Sequence, residues 1–307
     1  MVILESTSSI GATNRIVRLL SELRPDLTFP AREKKGHEIA IAYCPERVLP
    51  GRIMIEMVRN SRVVGCNNPK ARKKIAEFYR SFVEGEVVET NTKTAEMCKL
   101  VENSYRDVNI ALANELSILC DADDIDVWEL ISIANRHPRV NILAPGAGVG
   151  GHCIAVDPLF IVARNPNAAR IIKLARVTND EKTNWVIERI ETLLDDLERR
   201  LRRKPKLACL GVTFKPDVDD LRGAPALKIY RHFLDEGVEV VAVDPMLTNH
   251  PSVKTKPFGE AVLTADLVVV LVAHSFFKQN PNLEILKNQK VFDCCGLLSI
   301  KRNDQTL

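Results

Sequence analysis

The chain has 307 residues, 46% of them hydrophobic and 27% charged, with a formal net charge of +3. That composition excludes a disordered chain, and the length leaves room for more than one domain around a sizeable core. So small an excess of positive charge excludes the strong field of a nucleic-acid-binding protein, and no apolar run approaches the ~20 residues of a membrane span.

In chain order, residues 2–7 (Val-Ile-Leu-Glu-Ser-Thr) read as a buried strand leading into a helix over 12–23. Glu5 interrupts the short apolar start, so no secretory signal is read and a cytoplasmic protein is expected. A strand at residue 2 has no predecessor to pair with in a parallel sheet. Nor does a G-x-G-x-x-G turn follow a first strand, as it does in a complete dinucleotide-binding half. Residues 1–90 are therefore expected to be the C-terminal remainder of a Rossmann-type domain whose first part is absent.

Residues 92–120 read as one long helix. Thr92 or Thr94 can cap it, and Met97, Val101, Val108, Leu112, Leu116 and Leu119 keep nearly helical spacing. A helix of about 29 residues spans roughly 44 Å, a length that suits a spine joining domains. A second helical stretch, 127–135, leads into a glycine-rich loop. A third, 168–201, carries Ile171, Leu174, Val186, Ile190 and Leu193. The basic run Arg199, Arg200, Arg202, Arg203 and Lys204, ending at Pro205, reads as a solvated helix end, positive where the dipole is negative. Residues 91–204 are thus expected to form a helical middle domain. Beyond them, β-branched runs at 207–212, 238–243, 267–272 and 291–294, with a helix over 225–236, predict a parallel sheet across 205–307. The fold class expected is α/β: a truncated Rossmann-type N-terminal part, a helical middle domain with a long central helix, and a C-terminal Rossmann-like parallel α/β domain.

The chemistry concentrates between Pro145 and Pro158, where the chain reads Pro-Gly-Ala-Gly-Val-Gly-Gly-His-Cys-Ile-Ala-Val-Asp-Pro. Gly146, Gly148, Gly150 and Gly151 permit positive φ and close backbone approach, and they deliver Cys153, with Asp157 four residues later. Most cysteines are small core residues, and Asp157-Pro158 also suits a helix cap and first turn. Four glycines in six residues do nothing for a core, however, and a helix N-terminus after Cys153 would favour its thiolate. Cys153 is taken as the nucleophile. No pair among the eight cysteines has C-x-x-C spacing, so no zinc site, thioredoxin-type pair or other metal centre is expected, and Cys294-Cys295 read as packing at a strand end.

These residues carry a resemblance. The cysteine loop resembles that of the UDP-sugar dehydrogenases, which oxidise a sugar alcohol twice to a uronic acid with two NAD. Other segments agree in order over nearly the whole chain: 5–11 (Glu-Ser-Thr-Ser-Ser-Ile-Gly), 44–51 (Cys-Pro-Glu-Arg-Val-Leu-Pro-Gly), Ala95 to Lys99 with Asn103, Asn114-Glu115, and 214–222 (Phe-Lys-Pro-Asp-Val-Asp-Asp-Leu-Arg). Residues 135–141 (Asn-Arg-His-Pro-Arg-Val-Asn), running into 150–157, resemble the branch acting on UDP-N-acetyl-D-mannosamine. Pro50 stands where the UDP-glucose branch usually carries a second glutamate, which points the same way.

The resemblance implies the roles. Lys99 and Asn103, one helical turn apart, hold the sugar and stabilise the oxyanion formed when the Cys153 thiolate attacks an aldehyde. Glu46 assists water in hydrolysing the thioester, Asp157 tunes the water or thiol, and Thr7 hydrogen-bonds near the reactive carbon. Arg106, Arg139, Asn141, Gly148, Gly150, Gly151 and Lys215 are expected at the substrate, Arg139 from across a dimer. Thr7, Glu46 and Arg222 are expected at NAD. Lys215, Asp219, Asp220 and Arg222 follow the first strand of the C-terminal sheet, at the crest where α/β sheets bind ligands. The implied domains are the remainder of the NAD-binding domain (1–90), a dimerising middle domain (91–204) and a UDP-sugar-binding domain (205–307). The implied partners are a UDP-sugar and a second copy of the chain, with no nucleic acid and no membrane. The function expected is NAD-dependent two-step oxidation of UDP-N-acetyl-D-mannosamine to its uronate, for polysaccharide precursors. The alternatives are a truncated chain that binds a UDP-sugar or dimerises without turnover, or a UDP-glucose dehydrogenase.

Overall fold

The computed structural model describes residues 1–30, 39–48, 52–247 and 250–298. They fall into two compact units, Met1–Ser104 with Asp157–Ala168, and Tyr105–Val156 with Ala169–Leu307.

The first unit holds four strands, β1 (Val2–Leu4), β2 (Ile41–Tyr43), β3 (Arg62–Gly65) and β4 (Val87–Thr90), paired in that order. β1 runs parallel to β2 and β3 parallel to β4, but β2 meets β3 antiparallel through the single pair Tyr43 and Gly65. The sheet is therefore mixed rather than parallel throughout. The opening strand is an edge strand and not a buried one. Among the described residues only β2 pairs with it, so Val2 is exposed and Ile3 and Leu4 are half-buried. Helices α1 (Ala12–Leu23), α2 (Ile53–Arg59) and α3 (Pro69–Arg80) join the strands. α3 starts where its residues dictate: the Asn68 side chain accepts from the amides of Lys70 and Ala71, and Pro69 occupies the first turn. It buries Ile75, Ala76 and Tyr79 against Ala42, Cys44 and Val64. Gly65 is needed because a Cβ there would lie 2.4 Å from the Cβ of Ala95.

Ala95 belongs to α4 (Thr92–Ala122), the long helix expected from the periodicity, whose residues to Ser104 count with the first unit. So does α6 (Asp157–Arg164), and Arg164 donates through Nη1 to the Ile10 carbonyl at 2.9 Å.

The second unit takes the rest of α4, α5 (Val127–Ala134), α7 (Arg170–Leu201) and a second four-stranded sheet. Its strands β5 (Lys206–Leu210), β6 (Glu239–Val243), β7 (Leu267–Val270) and β8 (Val291–Asp293) lie in the order β6-β5-β7-β8, all parallel. Successive β5 residues face opposite ways, as the pleat requires. Leu207 and Cys209 pack with Val186, Ile190 and Leu194 of α7 and with Phe233 of α8 (Pro225–Asp235). Ala208 and Leu210 pack with Val262 of α9 (Phe258–Thr264) and Phe277 of α10 (Ser275–Gln279). A 3-10 helix, Pro281–Asn288, adds Leu283 and Leu286 to that second face. β5 ends sooner than the β-branched run suggests because Gly211 turns to φ +79, where a Cβ would lie 2.5 Å from Val272. The basic run is only partly solvated: Arg203 makes two 2.7 Å hydrogen bonds to Asp266. No helix of the described residues is long and apolar enough to cross a membrane.

Candidate functional site

In the first unit the polar groups gather on one face of α4. Glu96, Lys99 and Asn103 follow one another at three- and four-residue steps. Glu96 is fully buried, and its carboxylate accepts from the Gly11 amide (2.6 Å), the Thr13 amide (2.8 Å) and the Thr13 hydroxyl (2.7 Å). It thereby secures the turn that carries Thr7 out of β1. Asn103 donates through Nδ2 to Oδ2 of Asp157 at 2.5 Å, and Asp157 is 3% exposed. Asp157 is the first residue of α6 rather than the cap before it. Lys99 is half-buried and makes no hydrogen bond or ion pair among the described residues, which leaves an ammonium available to a ligand.

Thr7 and Glu46 leave the carboxyl ends of neighbouring parallel strands, and the two loops are tied by the Glu46 amide donating to the Glu5 carbonyl at 3.1 Å. The Glu46 carboxylate accepts from the Val48 amide at 2.9 Å and lies 3.6 Å from Nη1 of Arg62, a guanidinium only 3% exposed. It is held from two sides.

In the second unit a buried polar network fixes the cysteine loop. Arg176 pairs with Asp107 at 2.6 Å and with Asp180 at 2.6 Å. Asn179 donates to Asp107 Oδ1 (2.8 Å) and accepts from Asn114 Nδ2 (2.9 Å), whose own Oδ1 receives the Gly146 amide (2.9 Å). Thr183 donates to the Ala147 carbonyl at 3.0 Å. Each partner satisfies a group that burial would otherwise leave unpaired.

The four loop glycines have different reasons. Gly148 sits at φ +131, and a Cβ there would lie 2.3 Å from Thr183 Oγ1. Gly151 sits at φ +85, where a Cβ would lie 2.8 Å from the Phe214 ring, and its amide donates to the Arg222 carbonyl. Gly150 allows close approach to the Gly223 carbonyl, whereas a Cβ on Gly146 would meet nothing nearer than 4.0 Å. Gly146, Gly148 and Gly151 have the letters of G-x-G-x-x-G, but no strand leads into them, so this is not a dinucleotide turn.

Cys153 follows, exposed and not in a disulfide. Burial pushes the thiols of Cys44, Cys209 and Cys294 up to about 12, which keeps them protonated and unreactive. Arg222 is raised above the ordinary arginine value chiefly by its hydrogen bonds to Asp220, with a smaller contribution from Cys153. A guanidinium within electrostatic range of the sulfur stabilises negative charge there. Asp220 itself falls to about 2 through the same pairing.

Lys215 lies in the same loop beyond β5, with Nζ 5.5 Å from the Phe214 ring. That loop is braced by Asp244, which accepts from the Val212 amide at 2.7 Å, and by fully buried His274. The His274 Nδ1 accepts from the Asp217 amide (3.0 Å), while Nε2 faces Thr213 Oγ1 (3.2 Å) and Asp244 Oδ2 (3.3 Å). The hydrogen-bond pattern thus assigns the proton to Nε2.

Within the first unit the structure brings Asn103 to Asp157 and joins the Thr7 and Glu46 loops. Within the second it gathers Gly148, Gly150, Gly151, Cys153, Lys215 and Arg222. Arg106, Arg139 and Asn141 are exposed, and their side chains make no hydrogen bond or ion pair among the described residues. Asn135 clasps the loop bearing Arg139 and Asn141 by bonding both the amide and the carbonyl of Ile142. Sequence reasoning missed Glu96, Asp107, Arg176, Asn179, Thr183, Asp244 and His274. For the helical ones the available signal was a polar side chain recurring on an otherwise apolar face.

Three family models match the chain in order: the NAD-binding domain of the UDP-glucose/GDP-mannose dehydrogenase family over residues 1–83, its central domain over 93–181 and its UDP-binding domain over 208–300. The UDP-N-acetyl-D-mannosamine dehydrogenase of Yersinia pestis is 49% identical over 306 residues, covering 97% of this chain and 73% of that protein. Among solved structures, a UDP-D-ManNAc dehydrogenase from Pyrococcus horikoshii matches with a TM-score of 0.83 at 36% identity, over 97% of this chain and 69% of its own. A UDP-N-acetyl-mannosamine dehydrogenase from Staphylococcus aureus matches with a TM-score of 0.80 at 40% identity, over 95% and 67%.

Proposed function

The chain belongs to the UDP-glucose/GDP-mannose dehydrogenase family, and on that premise we propose that it oxidises UDP-N-acetyl-D-mannosamine to the uronate in two NAD-dependent steps. The observation that carries this reading is Cys153: an exposed thiol at the end of a loop whose backbone is locked by buried side chains, with a paired guanidinium in range.

The residues present suit the ring end of NAD. Thr7 and Glu46 stand at the carboxyl ends of two parallel strands, the edge at which α/β sheets receive nucleotides, and offer a hydroxyl and a carboxylate to an amide-bearing ring. When bound there, NAD supplies the hydride acceptor for each oxidation. The Cys153 thiolate adds to the aldehyde carbon and forms a carbon–sulfur bond, which retains the sugar between the two oxidations. Lys99 and Asn103 stabilise the resulting oxyanion. The Asn103 amide has two hydrogens, and with one given to Asp157 the other is aimed rather than free to rotate. The thioester is then opened by water, with Glu46 or Asp157 taking its proton and the thiol of Cys153 leaving. Lys215 meets the substrate and Arg222 the cofactor, and the helices of 91–204 pair two copies of the chain.

The test is NADH formation from UDP-N-acetyl-D-mannosamine and from UDP-glucose by the chain and by Cys153→Ser. The acetamido sugar should be preferred, and the variant should form no uronate. Intact-mass measurement of quenched turnover should find the sugar esterified to Cys153. An unchanged NADH yield in Cys153→Ser would defeat the reading.

A further inference from the structure

Within the second unit, α4, α5, α7 and the end of β8 line an open-mouthed cavity of about 290 Å³ that shares no residue with the cysteine loop beyond Pro145. Its wall includes Asp121, Trp128, Lys182, Trp185, Phe292 and Asp293. Lys182 is 3% exposed, and its Nζ lies 3.6 Å from the centre of the Trp185 ring. Among the described residues it makes no hydrogen bond and no ion pair. Its three donors are left without an acceptor, and the group in contact with the ammonium is an indole face.

The neighbouring carboxylates are committed elsewhere. Asp121 pairs with Arg189 at 3.3 Å, Asp126 caps α5 through the amides of Trp128 and Glu129, and Asp293 accepts the amides of Cys295 and Leu298. Burial raises Asp293 above the ordinary carboxylate value, which reduces its power to repel an anion. Burial lowers Lys182 to about 8, against smaller raising contributions from Cys294, Asp121 and Cys295, so it remains mainly cationic at neutral pH. A buried cation without a hydrogen-bonded anion is costly, and the open volume beside it is walled by two indoles and a phenyl ring.

We propose that this cavity is a binding site for a small aromatic carboxylate, its anionic end on Lys182 and its ring among Trp128, Trp185 and Phe292. The site is independent of the dehydrogenase chemistry, because none of its residues is assigned to that reaction.

Both tryptophans of the chain, Trp128 and Trp185, line the cavity, so tryptophan emission reports on it alone. Benzoate titrated into the full chain should quench or shift that emission saturably. Benzamide, the same shape without the charge, should bind at least about tenfold more weakly, as should benzoate to Lys182→Met. Equal binding of benzamide and benzoate, undiminished binding to Lys182→Met, or the absence of saturation would overturn the proposal. The benzoate–benzamide comparison uses the unaltered protein and so decides the matter even if the variant does not fold.

Discussion

Asn103 and Asp157, distant in sequence, meet through a hydrogen bond of 2.5 Å from the amide Nδ2 to the carboxylate Oδ2. The bond places a residue of α4 and the first residue of α6 in one arrangement and sets the direction of the second amide hydrogen. Asn103→Ala should therefore lower kcat by roughly 10²-fold while changing KM far less, since the lost donor acts on charge that develops during reaction. Asp157→Ala should lower kcat as well, although Asn103 remains, because the amide loses its orientation. Steady-state NADH kinetics check both, and a kcat close to the parent's in either variant would detach the pair from catalysis.

The glycine loop offers an internal control. Gly148→Ala puts a methyl 2.3 Å from Thr183 Oγ1 at φ +131, so Thr183 must give up its bond to Ala147 or the loop must move. A cost of about 1–3 kcal/mol and a loss of turnover are expected. At Gly146, where the nearest atom is 4.0 Å away, the same substitution should fall within about 0.5 kcal/mol of the parent. Melting curves and activity of the two variants side by side test this, and equal behaviour would show that the loop is not shaped by Gly148.

Lys182 should leave a mark on stability against pH. Its folded value of about 8 lies below the ~10.4 of an unfolded lysine, so between those values the unfolded chain holds more protons. This residue therefore contributes a rise in stability as pH increases from about 8 to about 10.5. Lys182→Met lacks that contribution. The parent should gain on the order of 2–3 kcal/mol relative to the variant between pH 7 and pH 10 in urea unfolding, with other titrations cancelling in the difference. Parallel curves would contradict it.

The parts of the fold read correctly from sequence are those where apolar spacing persists. The long helix expected over 92–120 is Thr92–Ala122, and the four β-branched runs after Pro205 are β5 to β8. Strands of three or four residues such as β3 and β4 offer too little periodicity to stand out, and α3 hides its apolar positions among lysines and arginines. The glycines announced a shaped loop without saying which of them shape it, because that depends on what Thr183, Phe214 and Gly223 bring alongside. Likewise Asp107 and Arg176 show only as polar residues on helices. Their pairing across 69 residues is set by how α4 and α7 pack. Arg203 looked like part of a solvated run because nothing local reveals Asp266.

Glu96 has one more effect on the first unit. The opening of a helix usually offers bare amides and partial positive charge to phosphate, but at α1 the amides of Gly11 and Thr13 are already occupied by a carboxylate. A diphosphate approaching this spot meets repulsion instead of a cradle. The helix start is closed to anions, and the charged middle of a dinucleotide has to be neutralised by groups elsewhere.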